Sequence, residues 1–412
     1  MESATSLAIS HDIMLVILIL TIGMFSGKLA SWLKLPDVAV FIAIGMVFGP
    51  GLNLIHEPSG SLINQMILTV GSVFILFDGG RNLKLSGLRK VWITLSLLSL
   101  PGVLITMFIV GTGVHYLFGV DWSFSFLAAA VIASTDPASI IPVFKQVKIK
   151  ERVRETVESE SAFNDATGSI LTFSMLAIVM GSGSLSIGSM SWDFVKTAFG
   201  GILVGIVVSA LFTYLSGHVR RGILQEYASI VMIICGLAAY WLGDVLHVSG
   251  FMATFVAGII WGNAETFKLS LKTKEVEINS FAENITVMMR MLIFLLLGSQ
   301  VNFGILGDYF WQSLVAVLLL MFVARPITVL LCALPDRTVK WTWQELLFMC
   351  WVRETGVIPA ALSGMILAMG VAHAEIISAV TFMAIVLTIV IQASTTGWVA
   401  RKLGLEVKET SG

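Results

Sequence analysis

The chain has 412 residues, of which 57% are hydrophobic and only 12% charged, with a formal net charge of −1 and a mean hydropathy of +0.92. Such a balance excludes a basic nucleic-acid surface and points to a chain that lives in lipid. Cys235, Cys332 and Cys350 sit in apolar runs without CxxC spacing and read as buried hydrophobes; the six histidines form no metal cluster.

Runs of about 20 apolar residues span a bilayer. Thirteen such helices are expected, over 12–31, 37–54, 62–80, 91–117, 122–145, 155–181, 193–217, 224–245, 249–263, 280–301, 309–333, 343–369 and 373–400. No lysine or arginine precedes Lys28, so the first run is read as a retained helix, not a cleaved signal. Gly49-Pro50-Gly51 closes the second. Thirty-seven glycines suit close helix packing in lipid.

Orientation follows from lysine and arginine. With the N-terminus outside, 21 of the 25 basic residues fall in cytoplasmic loops or the tail, among them Arg81, Lys84, Lys148, Lys150, Arg152 and Arg154. Of the other four, Arg290, Arg325 and Arg353 lie inside helices and Lys196 near an outer end. The C-terminus is then cytoplasmic.

Two helices carry polar breaks. Helix five is interrupted at Thr135-Asp136-Pro137, and helix twelve at Arg353-Glu354-Thr355-Gly356-Val357-Ile358-Pro359. Proline removes a helical donor, and Thr and Asp compete for backbone bonds. Setting helices one to six against eight to thirteen places the breaks at equivalent positions in two inverted repeats, a transporter pattern. The expected fold is therefore an all-α polytopic membrane protein of 13 transmembrane helices, two inverted six-helix repeats with discontinuous helices 5 and 12.

Helix six carries the chemistry. Counting from Glu155, Asp165 lies about 15 Å deep, half of a ~30 Å hydrocarbon core. Asp136 lies about 21 Å in from Trp122, so the two carboxylates reach similar depth. Ionisable groups there are costly and mark an ion or substrate path. Glu158, Ser161, Asp165, Ser169 and Thr172 recur at spacings of three and four and form one stripe; Glu160, Asn164 and Thr167 form a second. Oxygen-only ligands suit hard monovalent cations, and a buried carboxylate that holds a cation can hold a proton instead. Bland readings stand beside these. A lone aspartate can cap a broken helix, Glu158 can be a solvated funnel residue, and Asp78 at the end of helix three can be either funnel or solvated surface. Glu160 reads as the partner of an intramembrane arginine, Arg353 first and Arg325 second.

At Thr135-Asp136-Pro137 and Glu160-Ser161-Ala162-Phe163-Asn164-Asp165 the chain resembles the monovalent cation:proton antiporter-1 family, which includes NhaP-type sodium/proton antiporters. The likeness extends to Phe77-Asp78-Gly79-Gly80 and Ala324-Arg325-Pro326. It implies dimerisation helices (about 1–3 and 7–10) and a mobile ion-transporting core (about 4–6 and 11–13). It makes Asp165 the main carrier of ion and proton, with Asp136, Ser161 and Thr135 completing a sodium or potassium site. Asn164 braces that site, and Glu160 pairs with an arginine on helix twelve. Relatives carry Arg-Gly on that helix, whereas Thr355-Gly356 stands here and Arg353 comes two residues earlier. Asn164-Asp165 in place of two adjacent acids implies electroneutral one-for-one exchange.

The expectation is a homodimeric antiporter of the cell membrane that exchanges sodium for protons without a cofactor and is not an enzyme. Potassium/proton exchange is the nearest alternative. A sodium-coupled solute symporter would need a second, larger substrate pocket, and a channel would need a continuous polar lining.

Overall fold

The computed structural model describes residues 2–33, 35–55, 57–58, 60–135, 144, 147–181, 187–217, 223–269 and 274–407. Among these residues the architecture is helical throughout, and one isolated antiparallel pairing joins Ile149 to Glu406. Nine described helices are long and apolar enough to cross a membrane, and four shorter apolar helices cover Asp37–Gly51, Trp122–Ile132, Gly250–Gly262 and Val357–Ala368. Each expected segment therefore holds a helix.

In chain order the first half holds α1 (Glu2–Leu33), α2 (Asp37–Met46), α3 (Leu62–Arg81), α4 (Leu85–Ser99), α5 (Pro101–Phe118), α6 (Trp122–Ile132) and α7 (Glu151–Val179). α8 (Ile187–Gly217), α9 (Ala228–Val245), α10 (Gly250–Gly262) and α11 (Glu275–Ser299) follow. The last third holds α12 (Phe303–Asp308), α13 (Phe310–Leu319), α14 (Arg325–Ala333), α15 (Trp343–Trp351), α16 (Val357–Ala368), α17 (Ala374–Leu387) and α18 (Ser394–Lys402).

Local chemistry sets these ends. Ser61 accepts from the Asn64 amide and starts α3, and Ser249 accepts from Met252 and starts α10. Thr342 and Glu345 form a reciprocal capping box at α15. Pro101 divides the fourth segment into α4 and α5, because its ring cannot continue the preceding helix. Several helices outrun the apolar windows. α11 begins at Glu275, five residues ahead of the expected start, because its first turn is charged yet helical.

The helices pack around several apolar clusters. α2 and α11 meet around Phe41, Ile293 and Phe294, and α3, α9 and α10 around Phe77, Cys235 and Trp261. There the backbones nearly touch: a side chain at Gly258 would strike the Phe77 carbonyl of α3, so only glycine permits this approach. α6 packs on α5 and α7 and against α17, and the cluster there buries Leu127, Ile132, Val317, Leu320 and Ala384 together with Leu76 of α3 and Phe255 of α10. Cys235 and Cys332 are buried and Cys350 half-buried, all as free thiols.

Candidate ion-binding site

α6 stops at Ile132, and Ala133, Ser134 and Thr135 leave the helix. Asp136 and Pro137 lie outside the described residues. α7 lies directly against this break. Gly168 presses its α-carbon on Ser134, where a Cβ would come within 2.9 Å of the serine side chain. Any larger residue would push the break away from α7.

The contact is sealed by hydrogen bonds. The Thr135 amide donates to Asn164 Oδ1 at 3.0 Å, Asn164 Nδ2 donates to Thr135 Oγ1 at 2.9 Å, and that hydroxyl donates to Ser161 Oγ at 2.9 Å. Asn164 thus supplies the partners that the unwound backbone has lost. Ser161, Asn164 and Asp165 are each 2% exposed, and Thr135 is buried with them. Ser161 and Asp165, four residues apart, share a face of α7. Hydrogen bonds join Thr135, Ser161 and Asn164, and Asp165 follows Asn164 on the same helix, equally buried.

The second break faces the first. α15 ends at Trp351, residues 352–356 belong to no helix, and α16 begins at Val357. Carbonyls at a helix end carry partial negative charge and need donors when buried in lipid. Arg353 Nη2 donates to the carbonyls of Ile132 and Ala133, at 3.1 and 2.7 Å, and so closes the end of α6. Gln392 donates to the Trp351 carbonyl at 2.7 Å, and the Thr355 amide donates to Thr388 Oγ1 at 3.0 Å. Thr388 and Gln392 stand on a π-helical turn, Thr388–Ala393, between α17 and α18. These two escaped the sequence reading, although two polar residues four apart in an apolar run were a visible signal.

One expectation is corrected. Glu160 is expected to pair with Arg353 first, but its carboxylate is held by the two terminal guanidinium nitrogens of Arg325, with Nη2–Oε2 at 3.0 Å and a shorter contact from Nη1 to Oε1. The same guanidinium donates to the Met349 and Val352 carbonyls, at 2.9 and 3.2 Å. Arg325 follows a π-helical turn, Leu320–Ala324, that precedes Pro326. Arg353 is committed instead to the carbonyls of α6. The planar fork of arginine suits each task, carboxylate on one edge and carbonyls on the other.

Glu158 is buried on α7 and lies 3.4 Å from Arg154 one turn earlier. Asp78 stands in the last turn of α3. It pairs with Arg81 at 2.6 Å at the end of α3, and Arg81 also meets Asn279 of α11. Among the described residues no group of three or more His, Cys, Asp or Glu forms a metal cluster. The oxygens at the meeting of the two breaks come from a carboxylate, hydroxyls and an amide. Oxygen donors of this kind suit hard monovalent cations, and a buried carboxylate can exchange a cation for a proton.

Known proteins resemble this chain in sequence and in fold. The chain is 28% identical to "Na(+)/H(+) antiporter 1" of Methanocaldococcus jannaschii over 95% of both chains. It is 27% identical to "Na(+)/H(+) antiporter NhaH" of Halobacillus dabanensis, over 96% of this chain and 99% of that protein. It is also 27% identical to "K(+)/H(+) antiporter NhaP" of Alkalimonas amylolytica, over 98% of this chain and 69% of that one. The solved structure of the sodium proton antiporter MjNhaP1 from Methanocaldococcus jannaschii at pH 8 superposes with a TM-score of 0.81 at 27% identity, covering 96% of this chain and 99% of that one. The family model described as "Sodium/hydrogen exchanger, transmembrane" matches residues 15–402. The chain belongs to the transmembrane sodium/hydrogen exchanger family.

Proposed function

We propose that this protein is a secondary antiporter that exchanges a monovalent cation, sodium first, for protons by alternating access. The observation that carries the reading is Asp165, buried beside Ser161, Asn164 and Thr135 where two helix breaks meet. Asp165 is the carrier of cation and proton; Asp136, next in sequence to Thr135, completes the site with Ser161 and Thr135. Asn164 holds the break of helix five against helix six. The Glu160–Arg325 pair and the Arg353 cap keep the two breaks apart from lipid. Glu158 and Asp78 line the approach from the cytoplasm.

The helix packing supports a division of labour. α1–α3 and α8–α11 form the static, dimerising part, and α4–α7 with α13–α18 form the part that moves. The basic loops face the cytoplasm, the N-terminus lies outside, and the membrane is the cell membrane. With one carboxylate changing its proton occupancy, one cation replaces one proton and no net charge crosses. Potassium is the second reading, supported by a relative named as a potassium/proton antiporter at nearly the same identity as the sodium ones.

The test is flux in proteoliposomes under an imposed pH gradient, with sodium, potassium and lithium offered separately. Sodium-dependent proton movement is expected, and its loss in Asp165→Asn while the protein stays folded. Near-normal exchange in that variant would remove Asp165 from its role.

A further inference from the structure

A cavity of about 450 Å³ opens between α7, α8 and the turn that joins α9 to α10. Its polar lining includes Ser169 and Ser174 of α7, Thr197 of α8, and Tyr240, Asp244 and His247 of α9 and its turn. At roughly 30 Å³ per water, it has room for a cation with its first hydration shell. The cavity reaches the helical turn that follows Asp165, because the Ser169 hydroxyl donates to the Asp165 carbonyl at 2.8 Å. Asp165 itself is only 2% exposed, so the cavity stops short of it.

The mouth of this cavity is fixed in shape. In the turn, the His247 and Val248 amides donate to the Asp244 and Gly243 carbonyls at 3.0 and 2.8 Å, and the Ser249 amide donates to Thr197 at 3.1 Å. His247 takes a left-handed backbone conformation at φ 53°. Asp244 is exposed and lines the cavity one turn beyond Tyr240 on α9. Among the described lining residues it is the one carboxylate.

We propose that this cavity is the outer vestibule of the transport path and that Asp244 is its cation-recruiting residue. The proposal rests on the antiport reading and on the orientation given above. A fixed carboxylate at the mouth of a low-dielectric cleft raises the local concentration of cations. It acts before the ion reaches Asp165, so it sets the apparent affinity at one membrane face and leaves the exchange step alone. The ligand is a hydrated monovalent cation, held by a carboxylate and hydroxyls and not stripped of water.

The test measures sodium/proton exchange in right-side-out and inside-out vesicles of the full chain. Asp244→Asn should raise the apparent Michaelis constant for outer sodium at least about threefold, while the constant for inner sodium and the maximal rate stay within about twofold. Asp244→Glu should restore the outer constant, and a high concentration of an impermeant salt should shrink the difference between the variants. A second measurement uses Ser174→Cys, which an impermeant thiol reagent should block from the outer face only. An unchanged outer constant in Asp244→Asn, an equal shift at both faces, or block of Ser174→Cys from the inner face alone would each overturn the assignment. If the unmodified protein shows no exchange, the antiport reading fails instead; exchange that ignores Asp244 sinks the vestibule and leaves that reading standing.

Discussion

The pair between Glu160 and Arg325 yields a stability prediction that the geometry quantifies. Both side chains are 3% exposed, so neither charge has water to fall back on. Glu160→Gln keeps the shape and removes the charge, and it leaves the buried guanidinium with neutral acceptors alone: one amide oxygen and the Met349 and Val352 carbonyls. Breaking one side of such a pair costs about 3–5 kcal/mol. Spread over 412 residues at about 2.1 cal/mol/K each, that lowers Tm by about 3–6 °C. The control is Glu158→Gln on the same helix, whose neighbour Arg154 is 44% exposed and can turn to water. There the loss should stay within about 1 kcal/mol. The assay is thermal unfolding of purified protein in one detergent. Equal shifts for the two variants would refute the reasoning. Arg325→Lys adds a check, since an ammonium cannot serve the carboxylate and two carbonyls together; it should cost at least about 1–3 kcal/mol although charge is kept.

Other consequences follow from the same geometry. Arg353→Ala strips the donors from the Ile132 and Ala133 carbonyls and should abolish exchange even where folded protein is recovered, read as proton flux in liposomes. Asp336, in the turn after α14, is buried, which alone would raise its carboxyl; hydrogen bonds from Thr338 and Thr94 outweigh that and hold it below the ordinary carboxylate value. Its stabilisation is therefore complete above the unfolded value of about 3.9 and is lost as pH falls through the folded value. Asp336→Ala should lower Tm at neutral pH, and the gap to the unmodified protein should narrow in acid. Finally, a potassium–valinomycin potential with pH clamped on both sides should not drive sodium efflux, because voltage acts at about 2.3 kcal/mol per net charge per 100 mV and no net charge is moved.

Much of this molecule was legible in its sequence. Apolar run length set the helices, and the polar residues at Ser134 and Thr135 marked the end of α6 at Ile132, while Asp136 and Pro137 lie outside the described residues. The three-and-four spacing along helix six put Ser161 and Asp165 on one face, where the structure has them. What escaped were pairings across the chain. Arg325 and Arg353 are both intramembrane arginines, and nothing local says which one reaches Glu160; the choice is decided by which carbonyls each must also serve. Thr388 and Gln392 look like ordinary polar residues of an apolar helix until a π-helical turn aims them at the break of helix twelve. The cavity beside Ser169 joins residues of four helices, so no spacing rule could have revealed it. Helix ends were also set by caps and charged first turns, which a hydropathy window does not see.

The central claim is that cation and proton compete for one buried carboxylate. The most direct measurement is the apparent Michaelis constant for sodium as a function of pH in proteoliposomes, with the same pH on both sides and sodium exchange followed by isotope. Competition predicts that on the acid side the constant rises about tenfold for each unit fall in pH while the maximal rate holds steady. A maximal rate that falls with acid at an unchanged Michaelis constant would contradict it, because the proton would then be acting somewhere other than at the cation site.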